Sequence, residues 1–191
     1  MILYIKNMVC NRCIMAVNQI LERMELPVSR IGLGEVELIS QPPAKQLAQL
    51  NIMLQELGFE LLDDQRQQQI ERIKNLLIKK IQSGNVEEHL SISDYLAKAL
   101  HKDYSYLSRL FSQVEAITIE QYFILQKIEK VKELIVYGEM NLSEISYKLG
   151  YSSAAHLSSQ FKKVTGFTPS HFKKSGSANR HPLDNVKNKY V

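Results

Sequence analysis

Several large classes of protein are excluded by what this sequence lacks. It has two cysteines in 191 residues, too few for a disulfide framework, so both read as thiols. No apolar run approaches the ~20 residues a membrane helix needs. The amino terminus, MILYIKNMVC, has no basic region leading a long apolar core, so no secretory signal is visible and a cytoplasmic chain with no membrane partner is expected. The histidines His89, His101, His156, His171 and His181 form no zinc-like spacing with one another or with the cysteines. No glycine loop that could cradle a phosphate is present. The expectation is a protein that is not an enzyme, and a dithiol reductase built on Cys10 and Cys13 is the one enzymatic option worth naming.

What is present is an ordinary soluble composition, 45% hydrophobic and 23% charged. The length suits two small domains. The net charge of +4 is unevenly spread. Residues 1–64 hold five basic and eight acidic side chains, and residues 65–83 hold five basic and one acidic. Residues 84–175 hold eleven and ten, and residues 176–191 hold three and one. An acidic head on a neutral-to-basic body fits a DNA-binding part joined to a part that does not touch DNA.

In chain order, ILYIKN at residues 2–7 reads as a strand by its β-branched and aromatic content. A helix follows from about Asn11 to Met24, with Ile14, Val17, Ile20 and Leu21 on its apolar face. Val28 to Leu33 and Glu35 to Ile39 read as a hairpin around Gly34. Pro42 and Pro43 open a second helix carrying Leu47, Leu50, Ile52, Leu54 and Leu57. Gly58 stops it, and Phe59 to Leu62 is a last strand. The order βαββαβ predicts an α+β, ferredoxin-like domain over residues 1–64.

Within that domain KNMVCNRC resembles the M-x-C-x-x-C loop of heavy-metal-associated domains, and LGFELL resembles their fourth-strand entry. The resemblance covers about residues 1–63. It implies that Cys10 and Cys13 hold a soft metal ion, Cu(I) above others, at the start of the first helix. Two cysteines three apart can converge on one ion, soft sulfur selects a soft metal, and a helix N-terminus favours thiolates. This copy departs from the pattern at Asn7, where the family prefers glycine, and at Arg12, a cation that would lower thiol pKa and equally suit redox chemistry. The alternatives are therefore a redox or small-molecule sensing module and a metal-free dimerisation module. A metal carrier whose helical half is an interaction module is a further reading.

From Asp64 to Gly84 the spacing of Ile70, Ile73, Leu77 and Ile81 predicts one helix, the first of an all-α domain over residues 65–175. NLSEISYKLGYSSAAHLSSQFKKVTGFTPSHFKKS, from Asn141 to Ser175, then reads as helix, turn and helix. Leu142, Ile145 and Leu149 share one face, and Gly150 ends the first helix. Ser152 or Ser153 can cap the second, which turns Leu157 and Phe161 back toward the first. HLSISDYLAKALHKDYSYLSRLFSQV is an upstream copy, with Leu107 and Phe111 matching Leu157 and Phe161 at an offset of 50. Its turn is one residue shorter, and Asp103 takes the capping place of Ser152. Between the copies, Ile119, Phe123, Lys127-Ile128, Val131 and Leu134-Ile135 follow the period of a long helix.

The run of matches at Ile145, Leu149, Gly150, Tyr151, Leu157, Phe161, Lys162, Gly166, Pro169 and Phe172 resembles the carboxy-terminal signature of AraC/XylS-type transcription regulators. The resemblance implies two helix-turn-helix units joined by a long helix, with their recognition helices about one DNA turn, ~34 Å, apart on one face of the duplex. The family's Gly-x-x-Pro element is kept downstream as Gly166-Phe167-Thr168-Pro169. Upstream it is absent from Glu115 to Ile119, so that unit is expected to close differently.

By the same resemblance, base contacts fall to Ser105, Ser108 and Arg109 upstream, flanked by Tyr104 and Tyr106, and to Ala154, Ala155, His156 and Ser159 downstream. Arg109 is the strongest, because a guanidinium can bond guanine O6 and N7 together; a phosphate contact is its alternative role. Alanine and serine read little, so the upstream unit should supply more specificity, with Lys162 and Lys163 positioning the downstream one. Lys102, Lys148, Lys173 and Lys174 are further phosphate candidates. Double-stranded DNA is the expected partner, with RNA polymerase and a second copy of the chain as others. Residues 176–191 are polar and aperiodic and read as a disordered tail, with Arg180, Lys187 and Lys189 as weak phosphate contacts.

Overall fold

Alternation in the first strand sets the amino-terminal unit. β1 (Ile2–Lys6) buries Leu3 and Ile5 and leaves Tyr4 and Lys6 half-exposed. α1 (Asn11–Arg23) packs Val17, Ile20 and Leu21, spaced three and four apart, against those residues. β2 (Val28–Gly32) and β3 (Glu35–Leu38) form a hairpin whose turn places Gly34 at φ 72°. α2 (Ala44–Glu56) and β4 (Glu60–Leu62) complete the order βαββαβ. The sheet runs β2-β3-β1-β4, antiparallel throughout, with Leu3 opposite Val36 and Ile5 opposite Leu61. Met8 is fully buried in the core between sheet and helices.

The structure is a computed structural model that describes residues 1–175. The tail 176–191, with Arg180, Lys187 and Lys189, lies outside the described residues. α2 corrects one expectation. Leu50 and Leu54 are buried and Leu47 half-buried, but Ile52 and Leu57 are 59% and 54% exposed. Positions 47, 50 and 54 make one stripe; 52 lies on the opposite side, and Leu57 is the C-cap beyond the helix's last residue.

α3 (Gln65–Gln82) begins with the sheet. Gln68 Nε2 donates to the Leu62 carbonyl at 2.8 Å, and Arg72 pairs with Glu35 at 3.1 Å. The chain divides into two units, Met1–Asn75 and Leu76 onward, so α3 runs from one into the other. Sequence periodicity alone had put all of it in the helical domain.

The second unit is helical: α4 (Ile92–Leu100), α5 (Tyr104–Glu115), α6 (Ile119–Tyr137), α7 (Leu142–Lys148), α8 (Ala154–Thr165) and α9 (Pro169–Ser175). α9 was not foreseen; Pro169 takes its first position, where a missing N–H costs nothing. The 50-residue repeat extends further than the sequence suggested. Phe111 meets Tyr122 edge-on at 5.5 Å between ring centroids, and Phe161 meets Phe172, each 50 residues on, at 5.6 Å. The upstream unit also closes as the downstream one does. Ala116 caps α5 at φ 59°, and Gly166 caps α8 at φ 80°. Thr118 Oγ1 then accepts from the Gln121 N–H as Thr168 Oγ1 does from His171. The absent glycine is replaced by an alanine held in a left-handed conformation. No helix among the described residues is long and apolar enough to cross a membrane.

Candidate nucleic-acid interface

Both candidate recognition helices are held at their starts by a side-chain cap. Asp103 Oδ1 accepts the Tyr106 N–H at 3.1 Å, and Ser153 Oγ accepts the His156 N–H at 3.1 Å. Asp103 therefore corresponds to Ser153, not to Ser152. The Tyr106 N–H, with smaller contributions from Ser105 and Arg109, holds the Asp103 carboxyl below its ordinary value. It stays an ionised cap near neutral pH.

The inner faces are Leu107, Leu110 and Phe111 on α5, and Leu157 and Phe161 on α8, all buried. The outer faces then follow from helical spacing. Ser105, Tyr106 and Arg109 are exposed on α5, and Ala155, His156 and Ser159 occupy the same positions of α8. The structure thus gathers most of the expected contacts into two equivalent faces. Ser108 and Ala154 are half-buried.

Tyr104 is placed differently from its neighbours. Its hydroxyl donates to Glu120 Oε1 at the start of α6. Burial and that carboxylate push its pKa up. Burial works against the Glu120 carboxylate, but the Tyr104 hydroxyl, the Glu120 N–H and Thr118 together hold its pKa down. Tyr104 ties α5 to α6 rather than standing free for a base.

Lys102, Lys162, Lys163, Lys173 and Lys174 are exposed, and Lys148 is half-buried. Lys102 Nζ lies 5.5 Å from the Tyr106 ring centroid. His156 is oriented by two neighbours: Ser152 Oγ lies 3.0 Å from its Nδ1, and Tyr151 meets its ring edge-on at 5.4 Å. Sequence reasoning missed Gln113, exposed on α5 at the position equivalent to Lys163. The 50-residue offset was the signal that could have found it.

In the first unit, Cys10 and Cys13 are half-buried, with their sulfurs 3.6 Å apart. Cys10 is the N-cap of α1, so both thiols sit at that helix's first turn. Asn7 takes φ 70°, the left-handed region that glycine and asparagine adopt most readily, and its Nδ2 donates to the Gly58 carbonyl at 2.9 Å. Burial pushes the Cys13 thiol up; backbone hydrogen bonds at Val9 and Cys10 oppose this, and the Cys10 side chain adds to it. The expected lowering by Arg12 does not prevail at Cys13. Among the described residues no group of three or more His, Cys, Asp or Glu side chains could hold a metal. The donor set is thus two soft sulfurs, which suits a soft ion of low coordination number.

Comparison with known proteins bears on the helical unit. Residues 96–175 match the family described as a helix-turn-helix domain. The Msm operon regulatory protein of Streptococcus mutans serotype c is 29% identical over 97 residues, which are 51% of this chain and 34% of that protein. The uncharacterized HTH-type transcriptional regulator YdeC of Bacillus subtilis (strain 168) is 31% identical over 135 residues, 68% of this chain and 45% of that protein. The chain spans less than half the length of these curated relatives. A solved structure of a transcriptional regulator with an AraC-type DNA-binding domain, from Chromobacterium violaceum, aligns with 57% of this chain and 96% of its own. Its identity is 21% and its TM-score 0.48. Residues 96–175 of the chain carry a helix-turn-helix domain.

Proposed function

We propose that the chain is a transcription regulator that reads a specific duplex site through α5 and α8. The observation that carries this is the repeat of two capped helices, 50 residues apart, with equivalent outer faces. Arg109 is the residue for direct readout, bonding guanine O6 and N7, and Ser105 and Tyr106 border it. Ala155, His156 and Ser159 read less, and Lys162 and Lys163 hold the phosphates beside them. Lys102 is the matching phosphate contact upstream. RNA polymerase and a second copy of the chain are further partners in this reading. Hydroxyl-radical footprinting on a duplex selected from a random pool tests it. Two protected patches about 10 base pairs apart on one face support it. A single patch means that only one unit engages.

For the first unit we infer a ferredoxin-like, heavy-metal-associated-like sensor whose Cys10 and Cys13 bind Cu(I). The 3.6 Å sulfur separation at the start of α1 favours this reading. It is favoured over redox catalysis, because a thiol pushed up by burial is a poor nucleophile at neutral pH. A bound soft ion would fix both sulfurs as thiolates and release their protons. It can alter DNA binding only through different affinity for two states of the chain. Equal DNA affinity with and without Cu(I) would remove the switch and leave a dimerisation module or a carrier.

A further inference from the structure

One charged side chain of the helical unit is used by nothing described so far. Lys127 is 8% exposed in the middle of α6, in register with the buried Phe123 and Val131. No carboxylate pairs with it among the described residues. Its ammonium lies 3.7 Å from the centroid of the Tyr151 ring and 5.8 Å from that of Phe123. Tyr151 is itself buried, in the turn between α7 and α8. Its hydroxyl donates to Gln160 Oε1 at 2.7 Å, and its ring meets His156 edge-on. Tyr151 therefore touches the exposed first turn of α8 and its middle, and Lys127 touches Tyr151.

We propose that Lys127 is a positioning residue, whose cation–π contact with Tyr151 fixes the orientation of α8 on α6 and so the placement of His156 and Ser159 on DNA. This deepens the DNA-binding reading and rests on it. A buried cation without a carboxylate is a stability liability, and an apolar side chain of similar length would pack there more favourably. A desolvated ammonium over an aromatic face is directional, which an apolar side chain is not. The upstream unit has no matching ring: its shorter turn has Lys102 and Asp103 before α5. The device thus belongs to the downstream helix, whose own side chains are least able to fix its register on DNA.

The test uses the full chain as wild type, Lys127→Met and Lys127→Arg, with a duplex selected from a random pool by the wild type as probe. Thermal melting, DNA titration and amide exchange of the free proteins are measured together. Lys127→Met is expected to melt at or above the wild-type temperature, bind the duplex roughly tenfold more weakly, and exchange faster at His156 and Leu157. Lys127→Arg is expected to restore binding and slow exchange. Wild-type affinity and exchange in Lys127→Met overturn the proposal. A lower melting temperature that Lys127→Arg fails to restore also overturns it, by making Lys127 a packing residue. If the wild type enriches no duplex, the DNA-binding reading fails; the exchange comparison still decides whether Lys127 holds α8.

Discussion

Arg109 is the one guanidinium on either recognition helix, and it is exposed, so it can bond guanine O6 and N7 together. Arg109→Ala should weaken binding to the selected site by roughly 1–3 kcal/mol and relax the choice of base at one position. Arg109→Lys should recover phosphate affinity and little selectivity, since an ammonium lacks the planar fork. A titration across the four bases at that position checks both. Lys127 makes a prediction in pH. Burial lowers its pKa to about 8, whereas an unfolded lysine titrates near 10.4. Between those values the unfolded chain holds more protons, so stability rises with pH from about 8 to about 10. Burial raises Tyr151, and burial with Glu120 raises Tyr104, so both reverse the trend above about pH 10, where unfolded tyrosines ionise first. In urea unfolding, any stability advantage of Lys127→Met over the wild type should therefore narrow between pH 7.5 and 9.5.

The ends of α5 and α8 decide how firmly each recognition helix is presented. Ser153→Ala removes the acceptor for the His156 N–H and should destabilise by about 1 kcal/mol. Ala116 pays the left-handed penalty that Gly166 escapes, so Ala116→Gly should raise the melting temperature, by roughly 1 kcal/mol in stability. Gly150 has less freedom: a Cβ there would lie 2.7 Å from the Val86 and Glu87 carbonyl oxygens. Gly150→Ala should be strongly destabilising. These elements also mark what the sequence could tell. The helix periods, the Leu107/Phe111 and Leu157/Phe161 faces and the caps were legible because each rests on local spacing. The closure of the upstream unit was not legible, because a motif written as Gly-x-x-Pro hides the backbone geometry that Ala116 can also adopt. The approach of the 86–87 carbonyls to Gly150 was not legible either, since it joins residues more than sixty apart. Lys127 was legible as a lysine on an apolar stripe, but its ring partner Tyr151 lay beyond the helix. Tyr104 read as a base contact because its spacing could not reveal Glu120.

At the scale of the molecule, residues 84–175 hold eleven basic and ten acidic side chains, so affinity must come from where the cations sit, not from net charge. If Lys102, Lys162 and Lys163 each neutralise a phosphate, Lys162→Ala with Lys163→Ala should flatten the slope of log affinity against log salt by about 2. In the proposed mode the same pair should weaken binding to every duplex about equally. The first unit adds a signal that is separable by experiment. Cu(I) binding should vanish in Cys10→Ser/Cys13→Ser, while DNA binding without metal stays as in the wild type. The central claim is that α5 and α8 together read sequence. Its most direct measurement is a competition titration of the full chain at 150 mM salt, between the selected duplex and a scrambled duplex of the same composition. The account predicts a preference on the order of a thousandfold or more, reduced roughly 5- to 150-fold in Arg109→Ala. Equal affinity for the two duplexes, with the same dependence on salt, would contradict it.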